Sequence, residues 1–186
     1  QNNVPIRKNR AGQELFFPAR HGFFARNPNK ETIPMATHAE KARDNFLAGY
    51  NCAQAVACAF AEEMGMTVDQ AARLASGFGG GFGRMREVCG AVSGAVLVYN
   101  CLHGYCDPED PLEKSHHYGR VMRFCLAFQE KWNSMICREL LAGLELKNEG
   151  SPMPEARTPE YYKTRPCVRF VESAAQLLEE MLQDRH

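Results

Sequence analysis

The chain contains no Cys-x-x-Cys pair, no uninterrupted apolar run of 18 residues, no surplus charge of either sign and no convincing stretch of alternating apolar and polar residues. Each absence removes a class of function. Without Cys-x-x-Cys there is no thioredoxin motif, no attachment point for a c-type haem, and none of the usual zinc-knuckle pairs. Without a long apolar run there is no membrane span. The 22 basic and 22 acidic side chains cancel, at a pI near 7.1, so no long-range field draws the chain to nucleic acid or to an anionic membrane. Without alternation there is no strand signal, and the fold class is all-α.

What is present fits one globular domain with a tail: 186 residues, 45% apolar, and eight cysteines. Eight cysteines are about 4% of the length, below the roughly 8–10% of disulfide scaffolds, so the core does not need covalent staples. The neutral total averages two unlike segments. Residues 1–34 carry six basic residues and two acids, leaving 16 against 20 in the remainder. That leader holds Pro5, Pro18, Pro28 and Pro34 with no sustained period, and reads as irregular. Met35 opens the first helix signal, which marks residues 1–34 as an upstream-start or added segment and 35–186 as the folded domain. The leader lacks the apolar core of a signal peptide, so a cytoplasmic location is expected.

Helix starts punctuate the rest. Thr37 with Glu40, Asn51 with Gln54 and Thr67 with Gln70 have capping-box spacing, and Gly49 and Gly65 supply left-handed stops. These predict helices over about 38–48, 52–64 and 68–76. A fourth, over about 86–103, is apolar around most of its circumference and is expected at the centre. A long helix from the Asp107–Pro111 turn to Trp132, a short one ending at Leu141, and a last one over about 166–184 complete a bundle of about six. Residues 147–166, with four prolines, read as an irregular crossover. A bundle this short could be completed by a second copy, making a homodimer.

The cysteines divide on this scaffold. Cys52, Cys89, Cys137 and Cys167 each fall at a predicted helix N-terminus, where the dipole and free N–H groups favour a thiolate, the form that attacks disulfides or binds metal. Cys58, Cys101 and Cys125 fall in helical apolar runs and are expected in the core, with Cys106 near the following loop. Between the third and fourth helices, Gly77 to Gly83 cannot be helix interior. The loop is no nucleotide cradle, since Arg84-Met85 follows it and a helix precedes it. Its glycines suit close approach of main chain to a compact cofactor or a neighbouring helix, with N–H groups offered to a thiolate. Cys101-x-His103-x-x-Cys106 with His116 or His117 is a looser arrangement, read either as a second metal site or as surface and packing residues.

The runs Gly49-Tyr-Asn-Cys52-Ala-Gln-Ala-Val56, Gly79-Gly-Gly-Phe-Gly-Arg-Met85 and Cys89-Gly-Ala-Val-Ser-Gly94, with Cys137-Arg-Glu-Leu-Leu141 and Cys167, resemble the C_GCAxxG_C_C family of redox-active proteins over roughly residues 37–182. The family's four cysteines fall on Cys52, Cys89, Cys137 and Cys167. The chain is also similar to the non-haem part of split-Soret cytochromes c, a likeness that implies an iron-sulfur centre but no haem.

Two functions follow. In the first, the four thiolates bind an iron-sulfur or other metal centre for electron transfer to a partner protein, with Gly79, Gly80, Gly81, Gly83 and Gly90 lining the cofactor. In the second, the chain is an oxidoreductase that cycles a cysteine pair between thiol and disulfide. The first is preferred because a dithiol enzyme needs two tuned cysteines and the sequence presents four. A purely structural role for the thiols is the third reading.

Overall fold

The computed structural model describes residues 36–147 and 149–184, and the leader expected over residues 1–34 lies outside them. Among the described residues the elements are α1 (His38–Leu47), α2 (Cys52–Ala59), α3 (Val68–Ala75), α4 (Gly90–His103), α5 (Pro111–Trp132), α6 (Cys137–Leu140), α7 (Pro159–Thr164) and α8 (Cys167–Gln183). A 3-10 turn, Ser76–Phe78, follows α3, and no strand occurs among these residues beyond one isolated bridge. The fold is all-α.

All three capping boxes form. Thr37 Oγ1 accepts from the Glu40 N–H at 3.2 Å while the Glu40 carboxylate accepts from the Thr37 N–H at 2.8 Å. Asn51 Oδ1 accepts from the N–H groups of both Ala53 and Gln54 at 3.0 Å, and Gln54 answers the Asn51 N–H. Thr67 and Gln70 repeat the exchange. These contacts satisfy amides that a helix start otherwise leaves without partners. Gly49 and Gly65 sit at φ +106° and +67°, as the stops require.

The centre is shared by two helices. In α2, Ala53, Ala55, Val56, Ala57, Cys58 and Ala59 are buried, and α1, α3, α4 and α8 close around it. Its side chains are small, so neighbours approach its backbone: a Cβ added to Gly94 of α4 would lie 2.6 Å from the Ala53 carbonyl oxygen. By contrast α4, expected to be the enclosed helix, leaves Val96 and Leu97 half-buried. Phe46, Phe60, Phe128, Val171 and Leu178 fill the remaining space.

Three boundaries differ from expectation. The second helix ends at Ala59 because the chain turns at Phe60, whose ring is fully buried and stacks on His38 with centroids 4.0 Å apart. The fourth starts at Gly90 because residues 86–89 pair with 135–138: Cys89 N–H donates to Met135, Cys137 N–H to Glu87 and Arg138 N–H to Arg86. The proline-rich crossover contains α7, started by the Thr158 cap and Pro159, a residue pair that favours a helix N-terminus.

Candidate functional site

Cys52, Cys137 and Cys167 are the first residues of α2, α6 and α8, and Cys89 directly precedes α4. All four side chains line one enclosed cavity together with Leu140, Leu141 and Phe170. Chain topology brings them there. The Val88–Ile136 bridge sets Cys89 and Cys137 on adjoining segments, while α2 and α8 pack directly and bring Cys52 to Cys167.

Glycine makes the convergence sterically possible. A Cβ on Gly81 would stand 2.8 Å from Cys137 Cβ and 2.8 Å from the Glu87 nitrogen, and one on Gly90 would stand 3.2 Å from Cys52 Cβ and 2.9 Å from the Phe78 carbonyl oxygen. The loop itself is left-handed over Gly80, Gly81, Phe82, Gly83 and Arg84. It is closed by its own main chain, with Gly83 N–H donating to Gly77 at 2.8 Å and the amides of Arg84, Arg86 and Glu87 donating to Gly79, Gly80 and Gly81. The loop therefore works by close approach. The Gly83 amide is spent internally and is not on offer to a thiolate, although Gly83 lines the outer pocket described below together with Gly79 and Gly80.

The helix-start positions do not make four thiolates. The Cys52 thiol donates toward Cys167, and this hydrogen bond, with burial and the neighbouring thiols, pushes Cys52 well above the ordinary thiol range. The same bond lowers Cys167; burial opposes the shift, and the guanidinium groups of Arg165, Arg157 and Arg86 assist it. Burial raises Cys89 to about 12, although the Ala91 and Val92 amides at the start of α4 pull the other way. Burial also raises Cys137, against the positive charge of the nearby Arg86 guanidinium. Desolvation outweighs the helix end and holds Cys89 and Cys137 as thiols, Cys52 is held so chiefly by Cys167 and then by burial, and Cys167 is the one inclined to ionise.

The remaining cysteines bear out the core assignment at Cys58 and depart from it elsewhere. Cys58 is buried, and desolvation raises its pKa to about 11. Cys125 is half-buried, whereas Cys101 and Cys106 are exposed, because the last turn of α4 and the following loop run out to the surface. His103, His116 and His117 share a surface cavity with Tyr99, but His117 is buried with Nε2 2.9 Å from Asn100 Oδ1, and neither Cys101 nor Cys106 lines that cavity.

Among the described residues, no group of three or more His, Cys, Asp or Glu side chains is spaced to hold a metal ion. The cavity between the four thiols measures about 10 Å³, roughly the room one water needs. As placed, the thiols are not a metal-ligand set, and an iron-sulfur core does not fit between them.

A second, open pocket of about 400 Å³ lies over Cys52, Cys137 and Cys167. Its wall carries Arg84, Arg86, Arg157 and Arg165, against Glu155 as the one acid in the lining. Sequence reasoning passed over these arginines. They come from the end of the glycine loop and from either side of α7, and the visible signal was only that two of them precede Cys167 in a proline-rich stretch. Arg165, 7% exposed, pairs with Glu155 and stands over the Tyr161 ring. Arg157 donates from Nη2 to the Tyr50 carbonyl at 3.3 Å and packs on Phe46 and Tyr161, leaving its buried Nη1 without an acceptor. Burial raises Tyr161, on the same wall, to about 12.

No helix among the described residues is long and apolar enough to cross a membrane. A family model described as "Putative redox-active protein (C_GCAxxG_C_C)" matches residues 50–181. No curated protein and no solved structure matches the chain.

Proposed function

The chain belongs to the C_GCAxxG_C_C redox-active protein family, and on that premise we propose that it is a thiol-disulfide oxidoreductase working through Cys52 and Cys167. The observation that carries this reading is placement: Cys52 and Cys167 begin the packed helices α2 and α8, and both line the enclosed cavity and the arginine-lined pocket above it. Attack on a disulfide needs a thiolate, and Cys167 has three guanidinium groups and a donated S–H favouring that form. Resolution needs a second sulfur within reach that does not compete as the first nucleophile, and Cys52 is held protonated by the same hydrogen bond. Cys89 and Cys137 complete the enclosed side of the chamber.

The test is thiol mapping. The reduced chain, treated with one equivalent of a neutral disulfide such as 2,2'-dithiodipyridine, is expected to release two thiopyridone molecules and to hold a Cys52–Cys167 disulfide by peptide mass mapping. Cys52→Ser should stop at the mixed disulfide on Cys167, and Cys167→Ser should lower the rate at least tenfold. In a Cys101→Ser/Cys106→Ser background, which removes the two exposed thiols, a disulfide that maps elsewhere overturns the assignment.

One observation favours the metal reading as a second: four thiols from four separate elements meet at one cavity. In that reading Cys52, Cys89, Cys137 and Cys167 would hold an iron-sulfur or other metal centre that exchanges electrons with a partner protein, which requires the four sulfurs to stand further apart than they do here. Iron and acid-labile sulfide in anaerobically purified protein decide between the two. Stoichiometric iron that requires all four cysteines would establish the metal centre and displace the dithiol.

A further inference from the structure

We propose that the pocket over Cys52 and Cys167 is a binding site for a small carboxylate-bearing disulfide, which serves as the oxidant of the cysteine pair. The inference rests on the dithiol reading and adds the class of co-substrate. Its first ground is charge: four arginines line a concave space of about 400 Å³ with Glu155 as the one acid in the lining, and two carboxylates meet them, Glu155 on Arg165 and Glu149 on Arg86 at 3.6 Å, so guanidinium charge is in excess there. Pockets of this size hold ligands of tens of atoms, and a guanidinium matches a carboxylate as a two-pronged donor.

The second ground is independent of charge counting. Arg157 Nη1 is buried and has no hydrogen-bond acceptor in the protein. Buried donors are satisfied in native proteins with few exceptions, and Arg157 borders the pocket, so a turn of its guanidinium toward an acceptor on a bound ligand would answer the vacancy. The third is placement. Cys52, Cys137 and Cys167 line the same pocket, which puts an anion held by the arginines beside the one cysteine inclined to ionise.

The chemistry balances without any further reagent. Cys167 thiolate attacks one sulfur of the bound disulfide; that S–S bond breaks and the first ligand thiolate leaves, taking a proton from solvent. Cys52 gives up its proton and attacks Cys167 Sγ, and the mixed disulfide breaks to release the second ligand thiol. The protein dithiol loses two electrons and two protons to become the Cys52–Cys167 disulfide, and the ligand disulfide gains them as two thiols.

The test compares two probes on the reduced full-length chain: the dianionic disulfide 5,5'-dithiobis(2-nitrobenzoate) and neutral 2,2'-dithiodipyridine, each relative to a small reference thiol. The wild-type chain is expected to prefer the anionic probe by at least tenfold, and raising salt from about 50 to 500 mM should erode that preference, since screening acts on the charged probe alone. Arg157→Gln should slow the anionic probe about tenfold and the neutral one less than twofold, and Arg157→Lys should recover part of the loss. Arg157 also packs on Phe46 and Tyr161, so Arg84→Gln at the pocket wall is the parallel variant should Arg157→Gln not fold. Equal slowing of both probes, or no wild-type preference for the anion, overturns the anion site. Failure of the neutral probe to form the Cys52–Cys167 disulfide overturns the dithiol reading instead.

Discussion

Gly94 and Gly119 are both helical glycines, in α4 and α5, and the structure assigns opposite signs to the same substitution at the two sites. Replacing glycine by alanine in a helix interior gains about 1 kcal/mol from backbone entropy. At Gly119 nothing lies within 4 Å of the added Cβ, so Gly119→Ala should keep most of that gain. At Gly94 the new Cβ would lie 2.6 Å from Ala53 O and 2.9 Å from Ala53 Cα, both atoms of the α2 main chain. A backbone cannot rotate aside as a side chain does, so α4 must retreat by roughly 0.8 Å to restore ordinary contact, and overpacking of this kind costs about 1–3 kcal/mol. The net expectation is about 1 kcal/mol of destabilisation at Gly94 and slightly under 1 kcal/mol of stabilisation at Gly119. For a chain of this size that is roughly 2–4 °C in opposite directions. Thermal and urea unfolding in a phosphine reductant, with all three proteins in one buffer, measure the difference. A Gly94→Ala protein at least as stable as wild type would refute the direct α2–α4 backbone contact.

Three further outcomes are expected. Glu155→Gln leaves the buried Arg165 charge without its partner and should cost about 3 kcal/mol in urea unfolding; a loss under 1 kcal/mol would mean that solvent reaches the guanidinium. Asn51→Ala removes the acceptor of the Ala53 and Gln54 amides and a 3.0 Å bond to the Ser76 carbonyl, and should cost about 1–2 kcal/mol, with Asn51→Asp recovering the cap but not the Ser76 bond. Alkaline pH should destabilise the reduced chain. Burial raises Cys58 to about 11 from 9.0, Cys89 to about 12 from 9.0 and Tyr161 to about 12 from 10.0, so the folded chain retains protons that the unfolded chain has released. Their contribution is full below about pH 9 and is lost as pH rises toward 12, while Cys167, lowered, works in the opposite sense. A melting temperature that stays flat between pH 9 and 11 would contradict this burial.

Local chemistry was legible in the chain because it acts over three or four residues. Thr37, Asn51 and Thr67 cap the helices their spacing indicates, and the four cysteines at helix starts are the ones that share a cavity. The charge state of those cysteines was not legible. A helix end favours a thiolate locally, but desolvation is set by what the rest of the fold places overhead, and for Cys89 and Cys137 it prevails. Exposure of Cys101 was hidden for a related reason: an apolar run says that a helix has a buried face, not how far along its length the cover extends. The arginine wall was least visible, since its members lie on either side of some 70 residues of intervening chain and acquire a common role only when the crossover folds back over α2.

The Val88–Ile136 bridge has a mechanical consequence for the chamber. Its hydrogen bonds, Cys89 N–H to Met135 at 2.8 Å and Cys137 N–H to Glu87 at 2.7 Å, lash the main chains of two thiol-bearing segments into one strut, reinforced at its outer edge by the Glu87–Arg138 fork. Cys52 and Cys167 stand instead on α2 and α8, which pack on each other and on α4. Main-chain hydrogen bonds thus hold one pair of sulfurs and helix packing holds the other, with α4 joining the two supports. A disulfide between Cys52 and Cys167 would therefore be made inside the helix-packed pair and leave the Val88–Ile136 strut intact, whereas a centre bound by all four sulfurs would tie the two supports together.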